Sequence, residues 1–352
     1  MYDWMKGLIL HGGQGTRLRP LTHTGPKQLI NIAGKPISQW ALEKLKDTGI
    51  ENIAIVLGDN SPRKVIEYYG DGSRFGVDIE YIYQGRARGI ADAIYRCRDF
   101  IGGDDFIVYL GDNVLFDDIS PIASDGSDAS LLLAHVKDPR AFGVAVIDGD
   151  RITKLVEKPK EIISDLALIG VYYFKPLMFD YIADLKPSWR NELEITEALQ
   201  HMIDDNRSIS FKVADSWWKD TGNPNDLLEA NMKLLDKFGR EGNYGITENS
   251  DILGRSFIGE GSIVRNSKII GPAHIGNKVS IENTRIGPYT TIGDGSVIRD
   301  ADIEYSLILE SATISDIRMS ESIIGSKSRI AGDGKNSHYS IVIGENCSVK
   351  RG

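Results

Sequence analysis

The sequence predicts two domains of different construction: an α/β domain with an open, mainly parallel mixed sheet over residues 1–240, and a parallel β-solenoid over residues 241–352. Three observations predict it. Short apolar runs alternate with amphipathic stretches as far as Phe238. A glycine-rich, polar segment, Gly239–Gly245 (GREGNYG), then interrupts the pattern as a linker would. Beyond it leucine becomes scarce and isoleucine recurs at five- or six-residue steps.

In the first part, Gly7–Leu10, Ile53–Leu57, Ile79–Tyr83, Phe106–Leu110, Ala129–Ala134 and Gly143–Ile147 are short apolar runs, as expected of strands covered on both faces. Between several of them, Ser38–Thr48, Arg63–Tyr69 and Gly89–Phe100 read as amphipathic helices. Leu227–Phe238, with Met232, reads as one closing helix. In the second part the apolar positions run Ile252, Ile258, Ile263, Ile269, Ile275, Ile281, Ile286, Ile292, Ile298, Ile303, Ile308 and Ile314. Glycine often follows, as in Ile258-Gly259, Ile275-Gly276 and Ile292-Gly293. A six-residue period fits neither a 3.6-residue helix nor an alternating strand. It fits a solenoid in which one β-branched side chain per hexad points inward and a small residue turns the corner, with three hexads per coil and about five coils. Ala331–Tyr339 (AGDGKNSHY) breaks the hexads and reads as a loop.

Composition excludes several classes. A net charge of −9 and a pI near 5.3 argue against a nucleic-acid binder, which would show a basic face. No run of eighteen apolar residues is present, so no membrane span is expected. Met1-Tyr2-Asp3-Trp4 has no basic n-region, and the expected location is the cytoplasm. Cys97 and Cys347 lie far apart and suggest neither a zinc site nor a disulfide framework.

After the first strand comes Gly12-Gly13-Gln14-Gly15-Thr16-Arg17-Leu18-Arg19-Pro20, followed by Pro26-Lys27. Glycines there let backbone amides converge on an anion. The spacing is not that of a Walker loop, and Leu18 stands where a dinucleotide fingerprint needs its third glycine. A phosphate-cradling loop followed by cations remains. Asp112 follows the run Phe106–Leu110, at the carboxyl end of its strand, where ligands of open α/β sheets gather. Taken alone, Asp112 reads better as a turn residue and Asp220 as a turn or N-cap residue.

The longer string GGQGTRLRPLTHTGPKQLINIAGKPI resembles the signature of the sugar-1-phosphate nucleotidylyltransferases, and within them the long-form glucose-1-phosphate thymidylyltransferases. Further matches stand in order: Tyr83-Gln84-Gly85 with Gly89–Ala93, Leu110–Asn113, Phe142–Val144, Val156–Pro159, Arg190–Thr196 and Trp217–Gly222. The resemblance covers essentially the whole chain, and the isoleucine repeat likewise resembles the hexapeptide-repeat proteins. It implies a Rossmann-like nucleotidyltransferase domain followed by a left-handed β-helix. The implied reaction joins dTTP and glucose 1-phosphate, with Mg²⁺, to give dTDP-glucose and pyrophosphate. The implied catalytic residues are Arg17, Lys27, Asp112 and Asp220, the two aspartates holding the metal. Leu10, Gly12, Gly13, Gly15, Thr16 and Arg17 would bind the nucleotide, and Gln84 with Gly89 would read the base. Gly143, Glu157, Lys158, Leu168 and Arg190 would bind the sugar phosphate.

The Gln84 amide suits the imide edge of thymine or of uracil and does not distinguish them. Three residues depart from the family pattern: His11 for alanine, where packing is expected; Leu168 for a more usual valine; and Asn191 for glycine, which leaves the orientation of Arg190 open. The alternatives are a UTP-dependent uridylyltransferase, a bifunctional enzyme with acetyltransferase activity in the β-helix, and a non-catalytic regulatory subunit. Retention of Arg17, Lys27, Asp112, Lys158 and Asp220 favours the enzyme over the last. For acetyl transfer the candidate bases are His274, expected at an exposed rung position, and His338, neither within a convincing constellation. Flat solenoid faces favour a homo-oligomer, a trimer or tetramer.

Overall fold

The computed structural model describes residues 5–123 and 126–350, so Met1–Trp4 lie outside it. Its chain forms two compact units. The first comprises Met1–Gln14 and Ser38–Asp220. Its nine-stranded sheet among the described residues runs in the order Arg151–Glu157, Gly143–Asp148, Leu166–Phe174, Asp105–Leu110, Met5–His11, Asn52–Gly58, Asp78–Gly85. Ala129–His135 pairs with Leu166–Phe174 and carries Ile209–Val213 in turn.

Met5–His11 is parallel to both of its neighbours, and Asn52–Gly58 is parallel to Asp78–Gly85. This half is built by helical crossovers, which bury strands on both faces and explain their unbroken apolar runs. Leu166–Phe174, buried at all nine positions, runs antiparallel to Asp105–Leu110 and makes the sheet mixed. Helices Ile37–Asp47 and Pro62–Tyr69 fall within a residue of expectation. The single helix expected over Gly89–Phe100 is instead two, Ile90–Tyr95 and Arg98–Ile101. Gly89 stands at a φ of 103°, outside any right-handed helix, and a turn at Arg96-Cys97 separates the two pieces.

The second unit comprises Gly15–Ile37 and Thr221–Gly352. Contact density thus groups the Pro224–Phe238 helix and residues 15–37 with the solenoid, whereas the change in sequence pattern lies near residue 240. The strands curl into a left-handed parallel β-helix. Three inward columns run along it: Ile258, Ile275, Ile292, Ile308 and Ile324; Val264, Ile281, Ile298, Ile314 and Ile330; and Ile269, Ile286, Ile303 and Met319. Each fully buried side chain of this size contributes about 1.5–3 kcal/mol.

The early coils advance by 17 residues, as in the pairing of Ser256 with Ala273 and of Ala273 with Thr290. The second column takes Val264 inward, and Ile263 is only half-buried. Corner hydroxyls join successive coils: Ser262 Oγ donates to the Gly276 carbonyl and accepts the Val279 amide. Two expectations need correction. Gly242-Asn243, inside the expected linker, is already a solenoid strand paired with Phe257-Ile258. Ala331–Tyr339, expected as a loop, lies within the strand Arg329–Tyr339, which pairs with Thr313–Ser320 through register shifts. No helix among the described residues is long and apolar enough to cross a membrane.

Candidate functional site

In the sheet unit Leu10, Gly12, Gln84 and Asp112 lie at the carboxyl ends of the parallel strands. Leu10 is buried near the end of Met5–His11, and Gly12 follows that strand. A Cβ on Gly12 would lie 2.5 Å from Gln84 Oε1, so glycine is required for the Gln84 side chain to occupy its place. Gln84 is buried, and its Nε2 donates to the Gly89 carbonyl at 3.1 Å and to Asp92 Oδ2 at 2.9 Å. Both of those partners only accept, so they fix which end of the amide is nitrogen. Its two donor hydrogens are committed and Oε1 is the group presented. Gly89 has a packing reason of its own: a Cβ there would overlap the Leu193 backbone. Asp92, which orients the amide, was missed by sequence reasoning because it resembles any solvated first-turn carboxylate.

His11 packs as expected. It is 3% exposed, its ring lies edge-on to Tyr69, and neither ring nitrogen has a hydrogen-bond partner among the described residues. Burial pushes its pKa down to about 3, with Asp112 opposing, so the ring is neutral.

Strand Asn113–Leu115 pairs antiparallel with Trp218–Asp220, which sets Asp220 opposite Asn113, the residue after Asp112. Asn113 holds the arrangement from behind. Its Nδ2 donates to Asp112 Oδ1 at 2.9 Å, and its Oδ1 accepts Trp218 Nε1 at 2.7 Å. Gly170, at a φ of 40°, leaves the space the Asn113 amide fills; a Cβ would come within 2.6 Å of Asn113 Cγ. Two carboxylates are hard oxygen donors that suit a small divalent cation whose remaining positions go to phosphate and water. Among the described residues no group of three or more His, Cys, Asp or Glu side chains is arranged to hold a metal.

The sugar-phosphate candidates converge on the hairpin Gly143–Asp148 and Arg151–Glu157, where Gly143 stands opposite Glu157. A Cβ on Gly143 would meet Thr196 Cγ2 at 2.6 Å and Glu157 Oε2 at 3.2 Å, with Leu168 at 3.8 Å. Arg190 Nη1 reaches Glu157 at 3.0 Å and Glu194 at 3.4 Å, and its Nη2 reaches Glu192 at 2.6 Å. Lys158 Nζ lies 3.7 Å from Glu157. Desolvation first, then Glu194, raises the Glu157 pKa; Lys158, Arg190 and a hydrogen bond from Thr196 pull it back. Asn191 takes a φ of 60°, a conformation asparagine tolerates better than most residues. The turn that glycine would make is kept, and Arg190 is aimed at the carboxylates. Glu194 and Thr196 were not singled out in the sequence, although both lie in the Arg190–Thr196 match.

In the solenoid unit, Gly15 adopts a φ of 62° ahead of the short helical turn Thr16–Leu18. Arg17, exposed, has its guanidinium against Gly222, whose Cβ position lies 2.9 Å from Nη2. Lys27 is 7% exposed, in the turn Lys27–Leu29. Thr22 Oγ1 donates to the Gly15 carbonyl at 2.8 Å, closing the loop. Gly13 and Thr16 are exposed. Of the two histidines considered for acyl transfer, His274 is not at an open rung. It stacks on Phe257 at 5.0 Å, and burial pushes its pKa down to about 4. His338 Nε2 lies 2.8 Å from Ser320 Oγ.

The family model for nucleotidyl transferases matches residues 6–237. A Haloferax volcanii protein named low-salt glycan biosynthesis nucleotidyltransferase Agl11 is 43% identical over 98% of this chain and 100% of its own length. A glucose-1-phosphate thymidylyltransferase of Streptomyces griseus is 41% identical over 91% of this chain and 92% of its own. Among solved structures, a Bacillus anthracis chain described as a glucose-1-phosphate thymidylyltransferase, in complex with sucrose, superposes with a TM-score of 0.62. It is 38% identical and covers 68% of this chain and 97% of its own.

Proposed function

The chain belongs to the nucleotidyl transferase family, and on that premise we propose that it transfers a thymidylyl group from dTTP to glucose 1-phosphate, giving dTDP-glucose and pyrophosphate. It is a sugar-1-phosphate nucleotidyltransferase. In this reading a phosphate oxygen of the sugar attacks the α-phosphorus as the bond to the departing pyrophosphate breaks. The nucleophile is already ionised at neutral pH, so no general base is needed. Repulsion between anions and their alignment are the barriers.

Arg17 and Lys27 are assigned to the triphosphate. Arginine offers a forked contact and lysine a compact charge. The backbone of Leu10, Gly12, Gly13, Gly15 and Thr16 is assigned to the nucleotide. Lys158 and Arg190 are assigned to the sugar phosphate, with Glu157 accepting from sugar hydroxyls and Gly143 and Leu168 shaping the pocket. A bound Mg²⁺, held by Asp112 and Asp220, would supply charge neutralisation at the reacting phosphates. Residues 1–240 are the proposed catalytic domain and residues 241–352 the proposed β-helix domain of a cytoplasmic homo-oligomer, a trimer or tetramer.

The observation that carries the reading is the Gln84 amide. With both hydrogens committed to Gly89 and Asp92, it presents an acceptor, which suits the N3–H of thymine and of uracil alike; the choice of thymine rests on the similarity to a glucose-1-phosphate thymidylyltransferase. The test is pyrophosphate release from dTTP, UTP and CTP, each crossed with glucose 1-phosphate and glucosamine 1-phosphate in the presence of Mg²⁺. Fastest turnover is expected with dTTP and glucose 1-phosphate. Preference for UTP would replace the thymidylyl assignment, and silence with every pair would sink the enzymatic one.

A further inference from the structure

Residues 15–37, which carry Arg17 and Lys27, belong to the same compact unit as the β-helix and are held by it at three points. Pro20 lies against Gly344 in the last coil, where a Cβ would come within 2.7 Å of the Pro20 carbonyl oxygen. Gly34 sits on the His274 ring so closely that a Cβ would overlap it. The central anchor is a side chain. Strands Asn31–Ile32 and Lys35–Pro36 form a small hairpin whose turn residues, Ala33 and Gly34, have φ of 51° and 94°. The Ala33 amide points out of this turn and donates to Asn231 Oδ1 at 2.9 Å.

Asn231 lies on the Pro224–Phe238 helix and is fully buried. Its Oδ1 also accepts the Thr291 hydroxyl at 2.7 Å, and its Nδ2 donates to the Tyr289 carbonyl at 2.9 Å. One amide therefore ties a helix, a solenoid coil and the hairpin together, using both lone pairs of its oxygen. No other side chain of this size supplies that set. Aspartate would face the Tyr289 carbonyl with an anion, and leucine would leave a buried amide, hydroxyl and carbonyl without partners. The hairpin is coupled to Lys27 by a short, ordered stretch: Ile30 donates to the Lys27 carbonyl, Ile37 donates to the Ile30 carbonyl, and Ile32 is fully buried.

We propose that Asn231 is a positioning residue for the reaction: it fixes the Lys27–Pro36 segment to the β-helix, so the solenoid holds the triphosphate cations in place in addition to any part in assembly. This rests on the assignment of Arg17 and Lys27 to the triphosphate. A displacement of about 1 Å at a reacting group can cost about 100-fold in rate, so a brace of this kind has kinetic weight.

The test compares the full-length protein with Asn231→Ala and with Thr291→Val, the latter keeping the Ala33 bond and removing one of the other two. Amide hydrogen exchange at Ala33 is read alongside kcat and separate KM values for dTTP and glucose 1-phosphate. Asn231→Ala is expected to speed Ala33 exchange, raise KM for dTTP about tenfold and lower kcat, with KM for glucose 1-phosphate within about twofold. Thr291→Val is expected to move the same quantities less. Faster Ala33 exchange in either variant with unchanged kinetics would overturn the proposal, as would equal changes in both KM values, which mark a merely structural role. Should wild type release no pyrophosphate, the enzymatic reading fails and takes this one with it, an outcome distinct from a kinetic effect missing in the variants alone.

Discussion

Replacing Gly170 with alanine would press on the acidic pair without touching either aspartate. The added methyl would lie 2.6 Å from Asn113 Cγ and 2.7 Å from its Oδ1, short of ordinary contact by about 0.8 Å. Asn113 is 3% exposed and has nowhere to retreat, so its bonds to Asp112 and Trp218 cannot both survive. The positive φ of 40° costs alanine about 1–2 kcal/mol. Each lost hydrogen bond adds about 1 kcal/mol, and more where a buried group is left unpaired. A loss of about 3–5 kcal/mol follows, from a typical total of about 5–15. Because Asp112 shifts with Asn113 by nearly 1 Å, kcat is expected to fall about 100-fold and the apparent affinity for Mg²⁺ to weaken. Urea unfolding and a Mg²⁺ titration of turnover measure both. Adding Asn113→Ala should relieve the overlap, so the double variant should be more stable than the two single losses predict. Stability within about 0.5 kcal/mol of wild type and kcat within about twofold would refute the claim that Asn113 is wedged between Gly170 and the acidic pair.

Asp112→Asn keeps volume and removes charge, so turnover should vanish while the circular dichroism spectrum and unfolding midpoint stay near wild type; a wild-type rate would remove Asp112 from the metal role. Arg190→Gln strips the shared cation from Glu157, Glu192 and Glu194. It should raise KM for glucose 1-phosphate about tenfold and cost about 3 kcal/mol, because two of those carboxylates are largely buried. His274 supplies a pH test. Folded, its pKa is about 4 against the ordinary histidine value of 6.5, so between those pH values the unfolded chain binds more protons and stability rises with pH. The contribution is complete above pH 6.5 and is lost, by up to about 3 kcal/mol, as pH falls toward 4. His274→Gln should flatten the pH dependence of the unfolding free energy over that window, measured against wild type.

The parallel half of the sheet was readable because strands covered on both faces must be apolar at nearly every position, as Ile53–Leu57 and Phe106–Leu110 are. The β-helix was readable for a related reason, since one side chain per strand must fill the same column coil after coil. The period hid one detail. Coils advancing by 17 residues cannot keep strict six-residue steps, and Ile263 and Val264 are equally suited to point inward; only the fold selects Val264. The division into compact units was not readable either, because residues 15–37 are far in sequence from the solenoid that packs on them.

The motifs alone supplied the groups proposed for the site: a glycine loop with Arg17 and Lys27, two aspartates, the Gln84 amide, and a Glu157-Lys158 pair with Arg190. Those are local strings, and local strings survive in one dimension. What holds the groups was decided only by tertiary structure. Asn113 answers to Trp218, 105 positions away, and Asn231 to Ala33, 198 positions away. In the sequence each is an ordinary polar residue near a turn or on an amphipathic helix. A hydrogen bond is set by distance and direction in space, and the order of residues along the chain carries neither until the chain has packed.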